Sequence, residues 1–375
     1  MTYITDISRQ TVTIDGTAYT PDEATAHGAP GRLQTLFRRK YGEGSFHASL
    51  ADFLTEWFDG SDTLAVHTSG STGTPKELRA EKHRMMNSAV MTLSFLRLKP
   101  GDTALLCMPL QYIAGKMVAV RALVGGLNLI PKTPGGHPLK GMAEAPDFAA
   151  MIPMQVFNSL AVAEEKKLLQ AVGHLIVGGG AIDASMEKEL RGFPRAVWST
   201  YGMTETLSHI ALRRISGDGT SLWYTPFEGV GLRLSEAGTL AVRAPQVCEG
   251  ELVTNDIAEL NADGRFRIIG RRDNTVNTGG VKVQIEEVEA ALAPHISRPF
   301  AITSVPDPKF GERIVMLVQG SIAEEEARRA FSALPPYWRP KQTFCVEKLP
   351  QTGTGKPDRA AARETARRLA DGEQQ

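Results

Sequence analysis

The chain has 375 residues, too many for one simple core, so two or more domains are expected. Its 42% hydrophobic and 22% charged residues are those of a soluble globular protein, and Lys+Arg and Asp+Glu both total 42, so there is no global pull toward nucleic acid or an anionic membrane. The three cysteines, Cys107, Cys248 and Cys345, are far apart without a Cys-x-x-Cys pair, which argues against a disulfide framework and suits a reducing cytosol.

In chain order, residues 1–60 mix short strand-like runs with helical segments around Leu33–Arg39 and near Phe53–Phe58. The N-terminus lacks a basic cap followed by an apolar run, so no signal peptide is read there. Leu64–Val66 is strand-like and runs into Thr68, Ser69, Gly70, Ser71, Thr72, Gly73, Thr74, Pro75 and Lys76, with five hydroxyls, two glycines and one lysine. Such a segment cannot be core. Glycine lets backbone N–H groups turn inward, the hydroxyls add donors, and Lys76 adds a charge, so a polyphosphate is the natural guest. The alternative is a solvated linker. A helical pattern begins near Glu81, so the expected order is strand, glycine-rich loop, helix, the arrangement that cradles phosphate at a helix N-terminus. Pro75 before Lys76 and Glu77 after it exclude a Walker A loop.

Thr103–Met108 reads as a strand, with Cys107 an inert core thiol, and Ala114–Val124 as a helix whose only charges are Lys116 and Arg121. The apolar stretch 117–130, broken by Arg121 and Gly125-Gly126, is too short to span a bilayer. Leu127–Ile130 reads as a strand, Ala149–Leu160 and Glu164–Ala171 as helices, Leu175–Val177 as a strand ending in Gly178-Gly179-Gly180, and Val197–Tyr201 as another. This alternation predicts an α/β fold with ligands at the carboxyl ends of strands. From Trp223 to Ile269 short β-like runs take over. Gly270 to Asn274 is a charged break, followed by a strand (Val281–Val283), a helix (Ile285–Leu292), two strands (Ala301–Val305, Ile314–Val318) and a last helix from Ala360. The expected architecture is a large N-terminal domain, residues 1–272, of β-sheets flanked by helices with a small β-rich part. A small mobile α+β C-terminal domain, residues 273–375, follows.

Three further segments carry chemistry. Ser199 to Thr206 contains Glu205 among small polar groups. Val253 to Asp256 precedes the charged break, and Leu349 to Lys356 is a second hydroxyl- and glycine-rich loop. Alone, Glu205 reads equally as a helix cap, Asp256 as a turn residue and Lys356 as a surface lysine. Together and in this order, the four segments resemble the adenylate-forming acyl-CoA synthetase (AMP-binding) family over residues 62–359.

The resemblance implies roles. Thr68–Lys76 would hold the β- and γ-phosphates of ATP. Gly179, Gly180 and Ala181 would form one face of the adenine slot, with Tyr201 stacking on the other, and Gly202 would be a further nucleotide-binding position. Thr204 would contact the α-phosphate and Glu205 would hold Mg²⁺, while Asp256 and Arg271 would grip the ribose. Lys356 would bridge the reacting carboxylate and the α-phosphate, and Asp273 would be the hinge. The reaction implied is adenylation of a carboxylate, then thioester formation with CoA, by a cytoplasmic enzyme without nucleic-acid partners or stable membrane insertion; homo-oligomer formation is left open.

The chain departs from the family at Tyr112, where a histidine is usual, at Asn277, where a lysine is usual, and at Glu77, where glycine is common. Only 67 residues precede Thr68, fewer than in relatives. The acid is read from Arg121, nine residues past Tyr112 on an otherwise apolar segment. It is either a snorkelling arginine or a cation awaiting a second carboxylate. The second reading, with Ser208 after Thr204-Glu205-Thr206, resembles the 2-succinylbenzoate–CoA ligase branch and implies a small aromatic carboxylic acid as substrate. Tyr112, Arg121 and Ser208 are the substrate-pocket candidates, followed by Lys116, His209 and Arg213. Another aryl- or acyl-CoA ligase, or an enzyme loading a carrier-protein thiol, are the alternatives.

Overall fold

The computed structural model describes residues 3–25, 31–67, 77–180, 182–351 and 357–372. They form two compact units, one of residues up to Gly231 with Arg243–Glu251, the other of Leu232–Val242 and Leu252 onward. The α/β class expected from the alternation is observed.

The first unit is built on a nine-stranded sheet in the spatial order Thr225–Pro226, His209–Arg214, Ala196–Gly202, His174–Val177, Phe148–Met151, Thr103–Leu106, Asn128–Pro131, Val12–Ile14, Thr17–Tyr19. The strands from Ala196–Gly202 to Val12–Ile14 run parallel; Thr17–Tyr19 at one edge, and His209–Arg214 and Thr225–Pro226 at the other, are added antiparallel. A parallel centre needs cover on both faces, and accordingly all four residues of Phe148–Met151 are buried. Leu105, Cys107, Ala149, Leu175, Val177 and Val197 belong to the core cluster there. Burial pushes the Cys107 thiol up to about 12, as expected of an inert core cysteine.

The Ile113–Gly125 helix is buried along its whole length from Gly115 to Gly125. A helix apolar nearly all round belongs inside a protein. Gly115 is required at its start, because a Cβ there would lie 2.4 Å from Pro109 O. The helix ends on Gly126 in the left-handed conformation, φ 64°.

Two expected boundaries differ. Ala149–Leu160 is not one helix: Phe148–Met151 is a strand, and the helix starts at Pro153, whose missing N–H is tolerated in a first turn. The glycine-rich segment is not followed directly by a helix. Glu77–Glu81 is a strand antiparallel to Thr63–His67, and the helix Lys82–Leu96 comes only after it.

The second unit holds the four-stranded sheet Gly231–Leu234, Thr239–Arg243, Leu252–Leu260, Phe266–Arg271, apart from the end residues Gly231 and Arg243. It also holds a five-stranded sheet of Val281–Gln284, Thr275–Thr278, Gly311–Gln319 and Phe300–Asp307, with Gln342–Val346 added parallel to Gly311–Gln319. The last helix, Arg359–Gly372, is tied to the Ile285–Leu292 helix by two Arg359–Glu289 bonds of 2.6 Å. No helix among the described residues is long and apolar enough to cross a membrane.

Candidate active site

Strands Ala196–Gly202 and His209–Arg214 are joined by a tight turn. Gly202 makes it feasible: a Cβ there would lie 2.4 Å from both His209 Cα and Ser208 O. Thr204–Thr206 forms a single 3₁₀ turn that leaves Glu205 exposed. The buried Thr206 hydroxyl knits the turn, lying 3.0 Å from Met203 O and 2.8 Å from Ser208 O, while Met203 N–H donates to it at 3.1 Å. Leu207 has φ 63° and ψ −38°, and Ser208 N–H donates to Thr206 O across it at 2.7 Å. This is a γ-turn of the rare hand, strained for any residue with a Cβ. A buried Leu207 side chain and the Thr206 bonds hold it. Its effect is to bring Ser208 to Arg121.

Arg121 Nη2 donates to Ser208 Oγ at 2.7 Å. The residue is only 2% exposed, so it does not snorkel. Its Nε is buried without a partner among the described residues. Burial alone pushes its pKa down to about 9, leaving it charged at neutral pH. Behind Ser208, the buried His209 lies with Nδ1 3.3 Å from Ser208 Oγ and Nε2 3.0 Å from Thr92 Oγ1. Desolvation, reinforced by the Arg121 charge, drives the His209 pKa well below 6.5, so the ring is neutral.

The other two basic candidates are engaged elsewhere. Arg213 is held by Glu187 through bonds of 2.9 and 2.7 Å and by Ser221 O, with its guanidinium 5.7 Å from the Tyr224 ring. Lys116 turns toward the Thr63–His67 strand, donating to Ala65 O at 2.5 Å with Glu56 3.5 Å away. Glu56 in turn accepts from Ala65 N–H at 3.3 Å, so one ion pair satisfies both outward-facing backbone groups of Ala65. Both residues thus already have acidic partners of their own. Tyr112 is half-buried at the N-cap of the Ile113–Gly125 helix.

Of the nucleotide candidates, Thr68–Lys76, Ala181 and Lys356 lie outside the described residues. Their frames do not. Thr63–His67 and Glu77–Glu81 pair in register from Thr63↔Glu81 to His67↔Glu77, so Thr68–Lys76 connects the arms of a hairpin. The buried Lys82 anchors the hairpin's far end, bonding Glu56 O and Asp59 Oδ1 at 2.8 Å each. Gln351 and Pro357 bridge the two ends of the segment that contains Lys356.

Gly179 and Gly180 follow the His174–Val177 strand, whose parallel neighbour Ala196–Gly202 carries Tyr201 and Gly202. Val177 pairs with Ser199, so both segments leave the sheet side by side at its carboxyl edge. Tyr201 meets the Tyr224 ring edge-on at 6.0 Å between centroids. In the second unit, Asp256 and Arg271 are direct cross-strand partners, and Arg271 Nη2 lies 3.2 Å from Asp273 Oδ2. Asp273 sits in the single turn Arg272–Asn274 and also accepts from Asn255 Nδ2 at 3.3 Å. Sequence reasoning missed Thr92, Thr206 and Leu207. Thr92 is an ordinary-looking hydroxyl whose partner His209 is far away in the chain, and Thr206 bonds only within its own turn.

The profile of the AMP-binding enzyme family matches residues 11–255. The 2-succinylbenzoate–CoA ligase of Geobacillus kaustophilus is 28% identical over 334 residues, covering 78% of this chain and 66% of the relative. The probable 2-succinylbenzoate–CoA ligase of Mycobacterium tuberculosis is 28% identical over 352 residues, covering 84% and 88%. Among solved structures, the acyl-CoA synthetase (AMP-forming)/AMP-acid ligase II-like protein of Dyadobacter fermentans is 30% identical with a TM-score of 0.61, covering 85% of this chain and 94% of its own.

Proposed function

Because the chain belongs to the AMP-binding enzyme family, we propose that it is an ATP-dependent acid–CoA ligase whose acid is 2-succinylbenzoate. The observation that carries the acid is Arg121, a buried cation with no acid of its own and one N–H unpartnered among the described residues. An acyl pocket built for a plain fatty chain would leave that position apolar. A dicarboxylate brings one carboxylate to react and a second to pair with the guanidinium. The names of the relatives at 28% identity point to the same acid.

In the first step the reacting carboxylate oxygen attacks the α-phosphorus, forming acyl-AMP as the bond to pyrophosphate breaks. Both reactants are anions, so the residues must offset their repulsion and the charge that develops on the phosphoryl oxygens. Thr204 and Lys356 serve the α-phosphate, Lys356 also the carboxylate. Thr68–Lys76 holds the β- and γ-phosphates. Gly179, Gly180, Ala181 and Tyr201 enclose adenine, Gly202 lines the nucleotide, and Asp256 with Arg271 binds the ribose. The exposed Glu205 carboxylate fits Mg²⁺, a hard cation that takes one or two protein carboxylates and completes its shell with phosphate oxygens and water. Mg²⁺, when bound, neutralises phosphoryl charge. In the second step the CoA thiolate attacks the acyl carbon and AMP leaves. Lys356 would obstruct that approach, and movement about Asp273 withdraws it.

The test is ATP–pyrophosphate exchange across aromatic and aliphatic acids. Exchange is expected with 2-succinylbenzoate above all. Best exchange with a fatty acid would overturn the acid assignment, and none with any acid would overturn the ligase. Lys356→Ala should slow adenylation by about a hundredfold or more and spare thioester formation from supplied acyl-AMP. Equal loss of both half-reactions would contradict the alternation.

A further inference from the structure

Behind Ser208 runs a chain of buried polar groups whose proton directions follow by elimination. Thr92 Oγ1 lies 3.2 Å from Ser88 O, a carbonyl that only accepts. The single hydroxyl proton of Thr92 goes there, which leaves Thr92 Oγ1 to accept from His209 Nε2 at 3.0 Å. Nε2 therefore carries the imidazole proton. In the neutral ring Nδ1 is then bare, and Ser208 Oγ at 3.3 Å must be its donor. The only hydroxyl proton of Ser208 is thus committed away from Arg121. What remains is a lone pair, which receives Arg121 Nη2 at 2.7 Å. The guanidinium is fixed on one side, and its Nε–H is left without a partner among the described residues.

We propose that Thr92 and His209 are specificity-determining positioning residues: through the chain Thr92–His209–Ser208 they commit Ser208 as an acceptor and hold Arg121 with an N–H edge open to the second carboxylate of a dicarboxylic acid. The proposal rests on the dicarboxylate reading above and adds to it what fixes the arginine. Neither residue touches the acid. With the opposite tautomer, Nδ1–H would donate to Ser208, the serine proton would be free, and Thr92 would have to give up its bond to Ser88.

The full chain provides two tests. In the wild type labelled with ¹⁵N-histidine, two-bond ¹H–¹⁵N correlations identify each neutral tautomer, and the His209→Asn spectrum assigns the resonance. His209 is expected as the Nε2–H form at neutral pH; the Nδ1–H form overturns the proposal whatever acid the enzyme takes. The second test is kinetic. Asparagine places an amide oxygen near the Nδ1 position and can still accept from Ser208, whereas glutamine reaches the Nε2 position and cannot. His209→Gln should raise KM for 2-succinylbenzoate about tenfold, with kcat and the KM of the analogue lacking the aryl carboxylate little changed. His209→Asn should recover most of that loss, and Thr92→Val should act in the same direction as glutamine. Equal effects on both acids, or asparagine no better than glutamine, mean a merely structural histidine and refute the proposal. A wild type that exchanges pyrophosphate with no dicarboxylate sinks the acid assignment and the selection role with it, and the tautomer, read from the same wild type, still decides the hydrogen-bond chain separately.

Discussion

Arg121 and Arg213 are both drawn into the first unit, and their surroundings are opposites. Arg213 meets Glu187 in a two-bond pair; desolvation works against its charge, but the carboxylate outweighs it and the pKa lies above the ordinary arginine value. Among the described residues Arg121 meets one neutral hydroxyl and no acid, and burial takes it down to about 9. A buried cation with its own acid is complete without a ligand. A buried cation without one is a standing electrostatic deficit that an incoming anion relieves, which is the form a binding site takes. Lys116, on the same helix as Arg121, falls on the Arg213 side of this contrast, because Glu56 answers it.

The contrast can be broken most forcefully at Arg121. Arg121→Leu should raise KM for the dicarboxylate at least about thirtyfold, since removing one partner of a buried charge pair typically costs about 2–5 kcal/mol. The same variant should melt no lower than the wild type without ligand, because it removes an unpaired buried charge. A clear fall in Tm would show that Arg121 has an acidic partner inside the protein after all. Arg213→Leu should do the reverse, losing about 2 kcal/mol of stability by stranding Glu187 while leaving the preference between acids unchanged. The Glu187 pKa is lowered by its bond to Arg213, so this loss should be full at pH 7 and fade as the pH falls below the unfolded value of 4.5. Urea unfolding of both proteins across pH reads this directly.

Lys116→Met should cost about 1.5 kcal/mol, the net worth of a charged hydrogen bond, and leave the ratio of KM values for the two acids untouched. A changed ratio would return Lys116 to the pocket. The smallest effect concerns His209. Its folded pKa lies well below 6.5, so the unfolded chain takes up a proton that the folded chain refuses. Stability is therefore lost as the pH falls below 6.5, by up to about 1.4 kcal/mol per pH unit for one such group. His209→Gln should flatten the pH–stability curve by that share; an unchanged slope would mean the ring charges in place.

What the sequence revealed depended on whether the signal was local. Arg121 stood out because one charge interrupts a long apolar helix, and Lys116 gave the same signal for a different reason. Their fates are decided by Ser208 and Glu56, far away in the chain, which periodicity cannot see. Gly202 was legible as a motif position, and the close approach of His209 and Ser208 explains why it is glycine. The strand Glu77–Glu81 was missed because a polar hairpin arm lacks an apolar run, and that omission placed a helix N-terminus directly after the glycine-rich segment, where a second strand lies. Phe148–Met151 was absorbed into a helix because a short run of buried apolar residues carries no period of its own. Pro153, at the first turn of the true helix, was the available boundary signal. The γ-turn at Leu207 had no signal, since nothing about a leucine announces a positive φ.

The account rests on a guanidinium that waits for a carboxylate, and a double cycle tests that most directly. KM in ATP–pyrophosphate exchange would be measured for wild type and Arg121→Leu, each with 2-succinylbenzoate and with the analogue lacking the aryl carboxylate. The account predicts a coupling of about 2 kcal/mol or more between side chain and carboxylate. A coupling of zero, with both acids losing equally, would contradict it.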